Sequence, residues 1–248
     1  MRARVTFLVT FLTILILAVS AHAASVLAPA GPDAFGYVGA PIAANLRDVS
    51  GTGTPVTLGD DQVSGALPIG FTFYFYGVPY TSFYISSNGF ITFLADQDDG
   101  CCEGEPIPDT DEPNAIVAGL WTDLDPDEGG TIAYQTLGAP GSRELVAGFY
   151  NVPHWWDTDQ EATFEMILHE GSNAIELQYG AVDVAAGEEY TLGIENAGGT
   201  VGLEVFHGEP TNFGNEGYLI TVIPEPASLS LVGLGLAGLL YLRRRRAH

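Results

Sequence analysis

Between Ile69 and Tyr76 the side chains alternate without a break, with Ile69, Phe71, Phe73 and Phe75 set against Gly70, Thr72, Tyr74 and Tyr76. A period of two belongs to a β-strand with one buried face, and such a strand needs neighbours to cover its apolar side. Gly77-Val78-Pro79 breaks the run. Next, Phe83–Ser87 and Phe90–Phe93 flank Asn88-Gly89. Asn-Gly between two β-rich runs predicts a tight hairpin, because a type I′ turn needs positive φ at both central residues. The continuous apolar run Ala115–Trp121 has the pattern of a strand buried on both faces. Further strands are predicted at Thr131–Thr136, Glu144–Tyr150, Thr163–His169, Ala174–Tyr179, Thr191–Glu195, Val201–Phe206 and Tyr218–Val222, with Gly171-Ser172-Asn173 turning one pair. Ser25–Gly65 offers only short candidates such as Pro55–Leu58. No stretch of the body sustains a 3.6-residue apolar period. About ten short strands separated by Gly, Pro and Asn turns predict an all-β fold, an antiparallel β-sandwich.

Both ends of the chain read as signals. Arg2 and Arg4 precede an apolar stretch, Phe7–Val19, and the small-x-small triplet Ala21-His22-Ala23. That is a secretory signal peptide over residues 1–23, with cleavage expected after Ala23 or the next alanine. At the other end Pro224-Glu225-Pro226 is followed by apolar Ala227–Leu242 and then Arg243, Arg244, Arg245 and Arg246. As a helix, residues 227–242 reach about 24 Å, slightly short of the ~30 Å hydrocarbon core. Arginine side chains can snorkel to the headgroups to make up the difference. The same basic cluster holds that end in the cytoplasm, so the preceding protein lies on the far side of the membrane. The two prolines keep the junction out of regular helix, as an extended, accessible peptide.

Motif, span and arginine cluster, in that order, resemble the PEP-CTERM sorting signal of Gram-negative bacteria. The resemblance implies an exosortase, a membrane transpeptidase that cuts near Pro224-Glu225-Pro226 and releases or transfers the protein. The expected organisation is a signal peptide, an extracellular β-sandwich over residues 24–222, and a sorting segment over 223–248 containing a membrane-spanning helix. Transient anchoring in the inner membrane would precede release to the envelope or extracellular matrix.

Removing the signals exposes the character of the body. From residue 24 to Pro226 only Arg47 and Arg143 stand against 31 acidic residues, a net charge of −29, and the chain has no lysine. Such a surface repels nucleic acid and anionic lipid. An aromatic content of 11% argues against disorder, since it supplies enough apolar surface for a core. The two cysteines, Cys101 and Cys102, are adjacent. Their Cα atoms are closer than an ordinary disulfide allows, which leaves a vicinal disulfide, a bridge to another chain, or two thiols. None of these staples the monomer at long range.

The order of pieces over roughly residues 66–206 resembles the nidogen-like (NIDO) extracellular domain. The matching stretches are Phe71–Tyr76, Tyr80–Phe93 with Ser87-Asn88-Gly89, Ala118–Asp125, Asn151–His154, Thr163–Glu170 and Leu192–Asn196. The resemblance implies an adhesion or matrix role and brings no active site with it.

Candidate chemistry concentrates in acidic loops. Asp96–Glu128 contains twelve carboxylates and no basic residue. Asp123, Asp125 and Asp127 alternate before Gly129-Gly130, and with Asp98 and Asp99 they are the candidate Ca²⁺ ligands, since Ca²⁺ takes six to eight oxygens. Pro126, and Tyr134 at the twelfth position, exclude an EF-hand. The plainer account is a solvated acidic face whose aspartates bind turn amides. Trp155 and Trp156 suit sugar stacking, although packing onto the sheet is the commoner use. His154 adjoins this aromatic pair in sequence, and His169 reads as a solvated strand residue. His154, His169 and His207 show no zinc-ligand spacing. The chain contains no Gly-x-Ser-x-Gly, phosphate-cradling glycine loop or lysine, and Glu165 with Glu176 is a chance-level pair among 31 acids. The expectation is a non-enzymatic structural or adhesive module that contacts extracellular polysaccharide or matrix protein. A Ca²⁺-dependent glycan-binding module of the biofilm matrix is the alternative.

Overall fold

Thirteen strands form among the described residues of the computed structural model, which are 27–184, 186–210 and 214–223. The signal peptide with Ala23, and the sorting segment Pro224–Arg246 with its predicted helix, lie outside them. In chain order the strands are β1 (Tyr37–Ala43), β2 (Thr54–Pro55), β3 (Leu67–Phe75), β4 (Val78–Ile85), β5 (Phe90–Thr92), β6 (Ile116–Trp121) and β7 (Thr131–Leu137). They continue as β8 (Glu144–Pro153), β9 (Glu161–His169), β10 (Ile175–Val182), β11 (Tyr190–Glu195), β12 (Gly202–Gly208) and β13 (Gly214–Val222). All pairings are antiparallel. One sheet has the order β1-β13-β10-β9-β8-β7-β2 and the other β12-β11-β6-β5-β4-β3. The fold is an all-β sandwich. Among the described residues no helix is long and apolar enough to cross a membrane.

Alternation decides which faces meet. Ile69, Phe71, Phe73 and Phe75 are buried while Gly70, Thr72 and Tyr74 are exposed. They join Phe149, Phe164, Leu177 and Tyr218 of the facing sheet in one core. The sheets come close at Gly119 on β6, where an added Cβ would stand 2.7 Å from Met166 Cγ. There Tyr179 of β10 donates its hydroxyl to the Gly119 carbonyl at 2.7 Å. Each buried Phe contributes about 1.5–3 kcal/mol. The half-buried ion pair Arg47–Glu144 contributes no more than about 1 kcal/mol. Apolar packing therefore carries the stability.

Both sheets also bury part of their outer face under a loop. Over the six-stranded sheet, Ile107 packs with Phe90, Ile116, Ala118 and Trp121. Trp121 Nε1 donates to the Gly100 carbonyl at 2.8 Å, and Asp109 N donates to Glu195 at 2.6 Å. The acidic loop is thus a cover rather than a free solvated face, which is why every residue of β6 is buried. Over the seven-stranded sheet, Val49 packs with Val146, Tyr150 and Ile167. The amides of Arg47 and Asp48 both donate to buried Glu165 at 2.7 Å.

Two turns differ from expectation. Asn88-Gly89 is not a two-residue type I′ loop. Ser86 N donates to the Phe90 carbonyl across a three-residue turn, and only Gly89 has positive φ, at +84°. The two-residue hairpin with positive φ at both positions is Tyr76-Gly77, φ 47° and 78°, which joins β3 to β4. Tyr76 is held there by a 2.9 Å bond to Asp33 and by ring contacts with Tyr37 and Phe75 at 4.8 Å.

Candidate functional site

The freed Asn88 side chain is a junction. It is fully buried, accepts the Leu124 amide at 3.1 Å and donates to Asp61 Oδ1 at 3.0 Å. Around it, Ser86 Oγ donates to the Asp99 carbonyl at 2.6 Å, while Ser87 N bonds the Gln62 carbonyl and Ser87 Oγ accepts the Gln62 amide. Three segments distant in sequence, around residues 61, 99 and 123, are fastened together at one end of the sandwich.

Asp123 sits at their meeting point and is 3% exposed. Its carbonyl accepts the Trp155 amide at 3.2 Å, and Leu124 bridges His154, so the strand-end Asp123 and the tryptophan pair are fixed to each other. Carboxylate oxygens of Asp60, Asp61 and Asp123 lie within 4.8 Å of one another. Burial, then the charges of Asp61 and Asp60, raise Asp123 to about 7. A pocket of about 240 Å³ is lined by Asp60, Asp61, Cys102, Asp123, Trp155 and Trp156. The two indoles meet edge to face at 4.5 Å and are 45% and 64% exposed. Their exposed faces can take an apolar sugar face.

The other predicted ligands go elsewhere. Asp125 Oδ1 accepts the Asp127 amide at 2.9 Å within its own turn, and Asp127 Oδ2 accepts the Asp60 amide at 3.4 Å. Asp98 and Asp99 accept the amides of Gly100 and Cys101 at 3.0 Å. Among the described residues, the groups that gather three candidate ligands are Asp60-Asp61-Asp123 and Asp61-Cys101-Cys102. Asp60 and Asp61 were missed because nothing in Gly59-Asp60-Asp61 marks them apart from other acidic turns.

Cys101 and Cys102 are bonded to each other as a vicinal disulfide. His154 is not part of the exposed patch. It is fully buried, with Nδ1 3.1 Å from Glu188 and Nε2 3.0 Å from the Asp183 carbonyl. Nor is His169 solvated. It lies between Glu144 and Glu176, 2.9 Å from the latter in an electrostatic contact without hydrogen-bond alignment.

A family model described as NIDO related matches residues 36–225, and a PEP-CTERM protein-sorting motif matches residues 222–246. Neither curated proteins nor solved structures give a match to the chain. The first match spans every described strand from Tyr37 to Val222, and the second begins where β13 ends. The chain belongs to the NIDO-related family and is an exported protein carrying a PEP-CTERM sorting motif directly behind its last strand.

Proposed function

We propose that this chain is a structural or adhesive module of the envelope or extracellular matrix of a Gram-negative bacterium, processed by an exosortase-like system. The junction between domain and signal supports this reading best. The Ile223 amide still donates to the Gly36 carbonyl at 2.9 Å, so Pro224-Glu225-Pro226 starts one residue beyond a point fixed in the sheet. A protease or transpeptidase would therefore act on a motif that follows directly behind the folded domain. The role is non-enzymatic. The carboxylates most like a hydrolase pair are committed elsewhere, Glu165 to two amides and the Tyr150 hydroxyl, and Glu176 to His169, Arg47 and Gln178.

Intact-mass measurement of the exported species tests the sorting scheme. The expected mass lacks residues 1–23 and the tail beyond about Pro226. A mass that includes Arg243–Arg246 overturns it.

The pocket favours a second reading, a Ca²⁺-dependent glycan-binding module. Exposed indoles beside three carboxylates combine a stacking surface with cation ligands. A body at −29 is repelled by anionic polymers at low salt, and a shared divalent cation converts that repulsion to attraction. Screening against polysaccharides with Ca²⁺ and with chelator separates this reading from a purely structural role.

A further inference from the structure

Asp123 breaks a rule that the other buried acids of this fold obey. Glu165 accepts two amides and a hydroxyl, Glu195 accepts the Asp109 amide, and Glu188 faces His154 and Thr122. A buried carboxylate is ordinarily paired or hydrogen-bonded in this way, because desolvating it without a partner is costly. Asp123 is as buried as these, yet its carboxylate receives no hydrogen bond or ion pair among the described residues and lines the pocket instead. Asp60 Oδ1, beside it, is shielded from solvent and without a hydrogen bond.

We propose that Asp60, Asp61 and Asp123 bind a hard divalent cation of the Ca²⁺ class, with its remaining coordination positions open toward Trp155 and Trp156. Two oxygens on one Ca²⁺ stand at most about 5 Å apart, twice the metal–oxygen distance. The three carboxylates already lie within 4.8 Å of one another, so small side-chain adjustments bring all of them onto one central ion. Oxygen donors alone select a hard cation. The Cys101 and Cys102 sulfurs are bonded to each other, and both His154 nitrogens are occupied by Glu188 and Asp183. Binding through one oxygen each, three carboxylates fill at most half of the six to eight positions Ca²⁺ takes. The rest are available to water, or to hydroxyls and carboxylates of a saccharide lying on the indoles. Asn88 is a positioning residue, since it holds Asp61 through its amide and the Asp123 loop through Leu124. The inference names the site on which the glycan-binding reading rests.

The test uses the full-length chain in detergent, titrated with Tb³⁺ and read by tryptophan-sensitised emission, with Ca²⁺ as competitor. Saturable emission displaced by Ca²⁺ is expected. Asp123→Asn and Asp61→Asn should each weaken Ca²⁺ competition by about tenfold or more, and Asn88→Asp by roughly tenfold. Asp98→Asn, a charge removed outside the site, should change it by no more than about twofold. If Asp123→Asn fails to fold, Asp61→Asn decides. No saturable binding, or wild-type affinity in both Asp61→Asn and Asp123→Asn, overturns the site. Retention on an alginate gel with Ca²⁺, lost in Trp156→Ala, then tests the saccharide. Cation binding without retention sinks the glycan reading and leaves the cation site standing.

Discussion

The Tyr150 hydroxyl donates to the Glu165 carboxylate at 2.8 Å and accepts the Val49 amide at 2.9 Å. With Glu165 also taking the amides of Arg47 and Asp48, one buried acid fastens an otherwise irregular loop to the outer face of the seven-stranded sheet. Glu165→Ala orphans three donors and should lower the unfolding free energy by about 3 kcal/mol. Tyr150→Phe, which removes only the bridging hydroxyl, should cost about 1 kcal/mol. Urea unfolding of the two variants checks the order, and an equal loss in both would refute the hub.

Stability should fall as pH rises through neutrality. Glu195 is 2% exposed, and burial, outweighing the Asp109 amide bond, raises it to about 7, with the Asp109 charge adding to the rise. An unfolded Glu titrates near 4.3, so between the two values the folded state holds the proton more tightly. The contribution is complete below the unfolded value and lost as pH climbs past about 7. Wild type should lose on the order of 3 kcal/mol between pH 4.5 and 8 from this group. Glu195→Gln keeps an acceptor for Asp109 and removes the titration. The general acidic repulsion is almost common to both proteins, so the difference between their pH profiles isolates Glu195. Parallel profiles would count against the assignment.

Replacing both cysteines should barely change global stability. Cys101 and Cys102 are neighbours, so their bond closes almost no loop and restricts the unfolded chain little. The double serine variant should stay within about 1 kcal/mol of wild type, against the 2–5 kcal/mol of a native long-range bridge. A loss in that upper range would show that the bond is a fold determinant.

Two glycines with similar backbone angles should respond differently to alanine. Gly89 has φ +84°, and a Cβ there would run into the Leu120 carbonyl oxygen. Gly187 has φ +88° with nothing within 4 Å of such a Cβ. Gly187→Ala should cost about 1–2 kcal/mol, the backbone term alone. Gly89→Ala adds overpacking of another 1–3 kcal/mol or so. Thermal unfolding of the pair measures the difference, and similar shifts would mean that β6 yields at Leu120.

Local pattern carried much of the fold. Alternation in Ile69–Phe75 assigns the inner face of β3, and the unbroken apolar run of β6 correctly indicates two covered faces. What covers the outer face was hidden, because Ile107 is a single apolar residue within an acidic, Pro-rich loop. Strand β1 was illegible for a different reason. Tyr37–Ala43 contains Gly and Pro with no clear period, and it is a strand because β13 pairs with it. Tyr76 is a poor turn former by type, and tertiary contacts from Asp33 and Tyr37 hold it. Of the five aspartates proposed as ligands, only Asp123 enters the pocket group, together with Asp60 and Asp61. Proximity in sequence identified the acidic turn, but the site is assembled by Asn88 from segments far apart in the chain.

The pairing of β13 has a mechanical consequence. Val222 pairs with Tyr37, and Ile220 with Ile175, at one end of the seven-stranded sheet. Pro153, Glu161 and Val182, which lead to the tryptophan pocket, lie at the opposite end. A tether beyond Ile223 and a load on Trp155 therefore pull along the strands from opposite ends. Antiparallel hydrogen bonds run across the strands, so tension shears many of them together instead of peeling them one by one. With β1 and β10 gripping it on either side, β13 is placed to bear any force applied between the chain beyond Ile223 and the pocket.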